Sequence, residues 1–163
     1  MHLLHAYHKR DLEAIDKLKG PSSNYVHGQH FNTEEEKDFY RALVWLKTGH
    51  GQEAYELYDQ IASRAKSDRP VVALNRFAAK LQWAGETTDL NERQKLAAEA
   101  LAEWQKFDMS HSDKKNWPDI EDSVLFDLLD AYEILEDYNQ FDNVYAELDI
   151  ETRMRQDFLD IRV

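Results

Sequence analysis

Histidine is the first residue type in this sequence whose spacing could support chemistry. His2, His5 and His8 recur every three residues, and His27 and His30 form an HxxH pair. Two imidazoles at i and i+3 share a helix face, but a zinc site needs three or four converging ligands. No HExxH or other carboxylate-supported pattern accompanies them. We therefore expect no metal and no other cofactor, and His27 and His30 are the residues to test first if zinc does bind.

Carboxylates are the second candidate chemistry, because they occur in runs at 34–36, 119–122 and 136–137. General acid and base catalysis would need two of them in a cleft with pKa values that diverge. Most instead fall in the first turns of predicted helices, where a negative charge complements the helix dipole. Phosphate-binding glycine loops and nucleophile motifs do not occur. The pattern predicts a protein that is not an enzyme; a small metal-dependent enzyme built on His27, His30 and nearby acids is a further alternative.

Charge and composition exclude several other classes of function. The 163 residues include 20 Lys and Arg against 32 Asp and Glu, a net charge of -12 that would repel the phosphates of nucleic acids. The absence of cysteine excludes disulfides, thiol catalysis and Cys-ligated metals. The longest apolar run is 42–46, far below the roughly 18 residues of a membrane span. We expect no nucleic-acid or membrane partner, and a cytoplasmic location is inferred only from the missing signal and span.

The elements that must position these side chains are helices. Five glycines and three prolines are few, and Ala, Leu, Glu, Gln, Lys and Arg dominate the segments between them. The apolar periodicity predicts an all-α fold with seven to eight helices and no strand, a loop over 22–32, a polar loop over 108–116 and an eighth helix over 150–161. Helix starts are marked by a capping box, a proline and an acidic cap (Thr33 with Glu36, Pro70, and Asp89 with Glu92).

The second helices of successive pairs show an internal repeat. When these helices are superposed, one position is occupied by Ala14, Ala54, Ala97 and Phe141, which is a small residue in three cases out of four. A large apolar residue follows four positions later in each helix (Leu18, Tyr58, Leu101 and Tyr145), and the units are spaced by 40 to 44 residues. A small residue admits a neighbouring helix, and the large one fills the groove beside it. The spacing thus predicts closely packed helix pairs that repeat along the chain.

Residues 33–148 resemble the tetratricopeptide repeat, a family of stacked helical hairpins. The matching positions are Ala42, Trp45, Gly49, Ala54 and Tyr58 in one unit, Phe77, Ala78, Leu81 and Gly85 in the next, and Leu128, Tyr132, Asp137, Tyr138, Tyr145 and Leu148 in the third. The resemblance implies antiparallel helix pairs stacked as a short right-handed solenoid. Its divisions would be a partial repeat and loop (1–32), three repeats (33–66, 67–107 and 118–148) and a C-terminal helix (149–163).

The same resemblance implies where a ligand would bind. The first helix of each pair would line a concave face, and by register this face would include Phe39, Leu43, Asn75, Arg76 and Lys80. Asn75, Arg76 and Lys80 would then form a cluster of donors with little acid around them in the sequence. The expected ligand is a protein or peptide, with basic flanks that suit the acidic rim.

Two functions follow from these expectations. The leading interpretation is a non-catalytic scaffold that binds a protein or peptide, because the repeat spacing is present and catalytic motifs are missing. The alternative is the ligand-sensing part of a larger bacterial regulator, similar to peptide-pheromone receptors, with its DNA-binding segment outside this chain. A native gene that extends upstream would favour the second interpretation.

Overall fold

The computed structural model describes residues 10, 12–17, 25–26, 29–30, 33–64, 69–110 and 121–148. These residues form seven helices and one short sheet, in the order α1 (Leu12–Lys17), β1 (Tyr25–Val26), β2 (Gln29–His30), α2 (Thr33–Lys47), α3 (Gly51–Arg64), α4 (Pro70–Glu86), α5 (Leu90–Ser110), α6 (Glu121–Ile134) and α7 (Tyr138–Glu147). The predicted all-α class is confirmed. Within this described part of the chain, no helix combines the length and the apolar character that crossing a membrane requires.

One correction concerns the segment 22–32, which the sequence predicts as a loop in a fold without strands. β1 and β2 pair antiparallel, with Tyr25 opposite His30 and Val26 opposite Gln29. Two residues separate these strands in the sequence, which is the commonest hairpin spacing. Strands of two residues are too short to show the alternating pattern by which strands are recognised, so the sequence offers little signal for them.

Helix ends follow local sequence in most cases. Pro70 begins α4, where its missing N–H costs nothing, and the Asp89 carboxylate accepts from the backbone N–H of Glu92 at 2.8 Å, which confirms the predicted cap of α5. The polar loop predicted from residue 108 is wrong for 108–110, because α5 continues to Ser110. Phe107 packs on Trp104 with ring centroids 5.7 Å apart, so the apolar stripe extends one turn further. The helix predicted over 150–161 lies outside the described residues.

The described helices pack mainly on their neighbours in the chain, and the core is correspondingly divided. A first cluster joins α2, α3 and the start of α4 around Phe39, Tyr58 and Ile61. A second joins α4, α5 and α6 around Phe77 and Trp104, whose rings stack at 5.7 Å. A third, small cluster joins α6 and α7. In addition, α2 contacts α4 and α4 contacts α6, so these three helices lie side by side.

Small residues mark the closest approaches between helices. Ala54 of α3 and Ala97 of α5 are fully buried, as the predicted close packing requires, whereas the side chain of Ala14 lies outside the described residues. A very close approach occurs at Gly51, where an added Cβ would lie 2.3 Å from the backbone nitrogen of Trp83 in α4. No side chain fits in that space, so the start of α3 requires glycine.

Candidate functional site

A groove of about 570 Å³ lies along one side of α4, between α2 and α6. Its lining comes from all three helices: Leu46 from α2, Ala78, Leu81, Gln82, Gly85 and Glu86 from α4, and Asp127, Asp130, Glu133 and Ile134 from α6. We call it the acidic groove. Its volume is within the range of about 300–1,000 Å³ that is typical of ligand pockets, and it combines an apolar floor with carboxylates on one wall.

The floor of the acidic groove exists because α4 carries small residues on this side. Ala78, Gln82 and Gly85 recur at helical spacing, so they share one face. Gly85 is exposed, and a Cβ added there would meet no atom within 4 Å. The space that larger side chains would fill in an ordinary helix contact is therefore open to a ligand.

The carboxylate wall is produced by the pattern of α6. Val124, Leu128 and Ala131 pack toward α4 and α5, and residues such as Leu125 and Leu129 pack toward α7. This leaves a third face of α6, with Asp127, Asp130 and Glu133 at intervals of three residues, to line the groove.

Burial and like charge together disfavour ionisation on this wall. Burial of Asp127, reinforced by the negative charge of Asp130, raises the pKa of Asp127 from 3.8 to about 7. Burial also raises the pKa of Asp130, with a further contribution from the charge of Glu133, although part of the Asp130 residue remains exposed to solvent. None of the ion pairs among the described residues includes any of these three carboxylates.

Glu86 is the carboxylate of the groove that has partners within the fold. It accepts from the backbone N–H of Gly51 at 2.9 Å and from the side-chain amide of Gln82 at 2.8 Å. Its charge thus lies at the N-terminus of α3, where the helix dipole favours an anion. Glu86 therefore holds α3 against the end of α4 and is fixed at one end of the groove.

The opposite side of α4 carries a dense polar cluster that we call the outer network, formed by Tyr55, Asp59, Arg76, Lys80, Glu99 and Glu103. The Lys80 ammonium is 2.7 Å from Glu103, 3.1 Å from Glu99 and 4.7 Å from the centre of the Tyr55 ring. Tyr55 donates to Glu103 at 3.0 Å, and Arg76 lies 3.2 Å from Asp59 and 3.7 Å from Glu103. The network ties α3 and α5 to the same face of α4.

Acid–base equilibria in the outer network follow from these contacts. Burial alone would lower the pKa of Lys80, but hydrogen bonds to Glu103 and Glu99 outweigh burial and raise it. Burial raises the pKa of Tyr55, and the charge of Glu103 adds to the effect while Lys80 opposes it. Lys80 is consequently a charged, paired ammonium and Tyr55 a neutral donor.

Three of the predicted groove residues do not face the acidic groove. Arg76 and Lys80 are on the other side of α4 because successive residues of a helix rotate by about 100°, and both bind carboxylates from α3 and α5. Phe39 is 1% exposed and packs edge-on against Tyr58 at 5.6 Å, so it belongs to the core. These three residues do not line the acidic groove, and the prediction that they contact a ligand stays a prediction. The prediction assumed that few acidic residues surround Arg76 and Lys80. This is true of the sequence of α4 itself, but acidic residues of α3 and α5 contact both side chains.

The other two predicted residues remain candidates. Leu43 lies one helical turn before Leu46 and is half-buried against the first cluster. Asn75 lies three residues before Ala78, on the groove side of α4, and its amide donates to the carbonyl of Val71 at 2.8 Å. Contact between either side chain and a ligand stays a prediction.

The described residues that line the acidic groove include no histidine. Among the described residues, no three His, Asp or Glu side chains are grouped so that they could hold a metal ion. His27 lies outside the described residues, and so does the side chain of His30. The test of these two histidines proposed above is therefore left open.

Sequence reasoning missed Asp127, Asp130 and Glu133 as site residues, although a signal for them exists. The segment 121–148 contains nine carboxylates and no Lys, Arg or His. A face of α6 that is acidic, and that no nearby base in the sequence can neutralise, was the available clue.

Comparisons with protein-family models, with curated proteins and with solved structures find no match to this chain.

Proposed function

We propose that this protein is a non-catalytic scaffold that binds a protein or peptide in the acidic groove. The observation that carries the proposal is the groove itself, an open cavity between three helices with an apolar floor and one charged wall. Such a combination provides apolar contact area for affinity and a few polar groups for orientation. The first helices of successive pairs line it, as they do in a tetratricopeptide-like array.

The finer part of the proposal is that α2–α3, α4–α5 and α6–α7 stack as a tetratricopeptide-like right-handed solenoid. Two observations support it: α2, α4 and α6 contact one another in turn, and the remaining packing is mainly between helices adjacent in the chain. Stacked helical hairpins create an extended concave surface, which is the surface that repeat proteins use for binding.

A binding role without catalysis agrees with the chemistry of the groove. Its polar lining consists of carboxylates and the amide of Gln82. Acid–base catalysis by Asp127 and Asp130 would also need a group that stabilises developing negative charge; the described lining has no Lys, Arg or His for this, and the amide of Gln82 already donates to Glu86. Carboxylates without a counter-charge can, however, attract and orient a positively charged ligand.

The experiment that tests this proposal is selection of peptides from a random library displayed on phage, followed by binding measurements with synthetic peptides. Gly85→Trp places a large ring in the open groove, where its Cβ meets no atom within 4 Å. We expect this variant to weaken the selected peptides by at least about tenfold. Ala98→Trp adds the same ring to an exposed position of α5 and is the matched control.

The two variants also define the result that contradicts the proposal. Thermal unfolding followed by circular dichroism establishes that both variants remain folded. If no peptide is enriched, or if Gly85→Trp binds the selected peptides as tightly as Ala98→Trp does, the acidic groove is not the binding surface.

A further inference from the structure

The carboxylate wall of the acidic groove indicates the class of ligand, an inference that rests on the function proposed above. We propose that the groove binds a basic polypeptide segment, with Arg or Lys side chains against Asp127, Asp130 and Glu133 and an aliphatic side chain on Ala78 and Leu81. The partner's cations would thus enter the groove itself. The sequence analysis predicts a different arrangement, in which side-chain donors hold the ligand within the groove and its basic flanks contact acidic residues only at the rim.

Spacing along the two walls fits a short segment. Residues three apart in a helix rise by about 4.5 Å, so the carboxylates of α6 extend over about 9 Å. The lining of α4 from Ala78 to Glu86 covers about 12 Å by the same measure. Alternate side chains of an extended peptide are about 7 Å apart on one face. Two cationic side chains on one edge of such a peptide therefore reach the wall together.

The charge balance of the molecule supplies the second line of argument. On the outer face of α4, Arg76 and Lys80 meet Asp59, Glu99 and Glu103, so opposite charges compensate each other. In the segment that contains the α6 wall, nine carboxylates occur with no basic residue. No described Lys or Arg pairs with the wall, and burial makes the ionisation of Asp127 and Asp130 costly. A partner's cation would relieve both the like-charge repulsion and the burial cost.

Other cationic ligands fit the geometry less well. A bound metal ion needs several oxygens at about 2.0–2.6 Å from one point, and no group of three carboxylates in the described part of the chain could hold one. Carboxylates spread along a helix, beside an apolar floor, suit separate guanidinium or ammonium groups on a chain that also carries aliphatic side chains.

The test uses an acetylated, amidated and fluorescein-labelled peptide that alternates arginine and leucine over six residues. Fluorescence anisotropy measures its affinity for the full chain at about 50 mM and about 300 mM salt. We expect Asp130→Asn/Glu133→Gln to weaken binding by at least about tenfold at low salt. Asp142→Asn/Glu147→Gln removes equal charge from exposed positions of α7 and should change the affinity by less than about twofold. A peptide with citrulline in place of arginine should not bind.

Each alternative outcome has a distinct meaning. Equal loss in both double variants would show attraction to overall charge and overturn the inference. The selected library peptides could instead lack Arg and Lys, lose binding to Gly85→Trp and bind Asp130→Asn/Glu133→Gln as tightly as the parent. That result would overturn the inference of a basic ligand and support the proposed scaffold function. Calcium or magnesium binding by calorimetry that is lost only in Asp130→Asn/Glu133→Gln would make the wall a metal site and overturn the inference. Failure of every peptide to bind would overturn both proposals.

Discussion

The two sides of α4 carry charge in opposite arrangements. On the outer side, Lys80 is 95% buried and bonded to two glutamates that reach it from α5. On the groove side, Asp127 faces Asp130 and no described cation pairs with either. The same helix therefore has one side on which opposite charges pair and another on which no described cation pairs with the carboxylates.

This difference separates charges that pair within the fold from charges that have no partner among the described residues and that we propose bind a ligand. A buried lysine with hydrogen-bonded glutamates fixes the relative position of α3, α4 and α5. Burial and like charge instead make the ionised forms of Asp127 and Asp130 unfavourable, and no described cation offsets this cost. Such an unfavourable arrangement is typical of functional sites.

The largest expected effect is a difference in the free energy of unfolding between variants of two glycines, Gly51 at the contact of α3 with α4 and Gly85 on the groove side of α4. Gly51→Ala directs a Cβ into the α4 backbone beside Trp83, at 2.3 Å, so we expect a loss of more than about 3 kcal/mol in the free energy of unfolding. Gly85→Ala directs a Cβ into open space and should stabilise by about 0.5–1 kcal/mol. Urea unfolding measures both; equal effects would mean that the two sides of α4 are equally packed.

The next effect concerns Asp127 and depends on pH. Its pKa is raised from 3.8 to about 7 in the fold, so the folded state binds this proton more tightly than the unfolded state. The stability that this proton contributes is present below about pH 4 and is lost as the pH rises to about 7. A pKa rise from 3.8 to about 7 corresponds to about 4 kcal/mol before solvent screening. Asp127→Asn should therefore stabilise by about 2–4 kcal/mol at about pH 8 and have little effect at about pH 4.

Urea unfolding of the parent and of Asp127→Asn across this pH range checks the sign. Asp142→Asn, at an exposed position of α7, is the control and should show no such difference. A stabilisation by Asp127→Asn that is equal at both ends of the range would mean that packing, not ionisation, is responsible.

A smaller effect tests the outer network. Glu103→Ala removes the closest partner of the Lys80 ammonium and the acceptor of Tyr55, so we expect a loss of about 1–2 kcal/mol, since Glu99 remains. A double-mutant cycle is built from Lys80→Met, Glu103→Leu and the two combined. The double variant removes both charges and should be less destabilised than the sum of these two single changes predicts. Additive losses in this double-mutant cycle would show that the network contributes no coupling between α4 and α5.

Much of the secondary structure could be predicted because its causes are local. Pro70 and Asp89 act within one turn, and both mark helix starts in the structure. The side of α4 that lines the acidic groove could not be predicted in this way. Arg76 and Lys80 have few acidic residues near them in the sequence. In the structure, Arg76 binds Asp59, which is 17 residues away in the chain, and Lys80 binds Glu103, which is 23 residues away. Only the packing of three helices reveals which face is already occupied.

The smallest expected effect concerns Asn75, which the sequence did place on the groove side. Its amide bonds to a carbonyl of its own helix, and alanine is the better helix former, so Asn75→Ala should change the free energy of unfolding by less than about 0.5 kcal/mol. If Asn75 contacts the ligand, the affinity of the library peptides should fall by about 1–3 kcal/mol. Unchanged affinity would limit the ligand to α6 and the opposite end of α4.

The division of the core predicts that the two walls of the acidic groove differ in local stability. The wall at α6 belongs partly to the third cluster, whose buried side chains in the described chain are Leu129, Val144 and Leu148, whereas α4 is held by both larger clusters. Amide hydrogen exchange should therefore be fastest in α6 and α7, through openings that leave α3–α5 intact. A ligand that binds both walls would slow this exchange, and protection of α6 would report occupancy of the groove without any change in the rest of the fold.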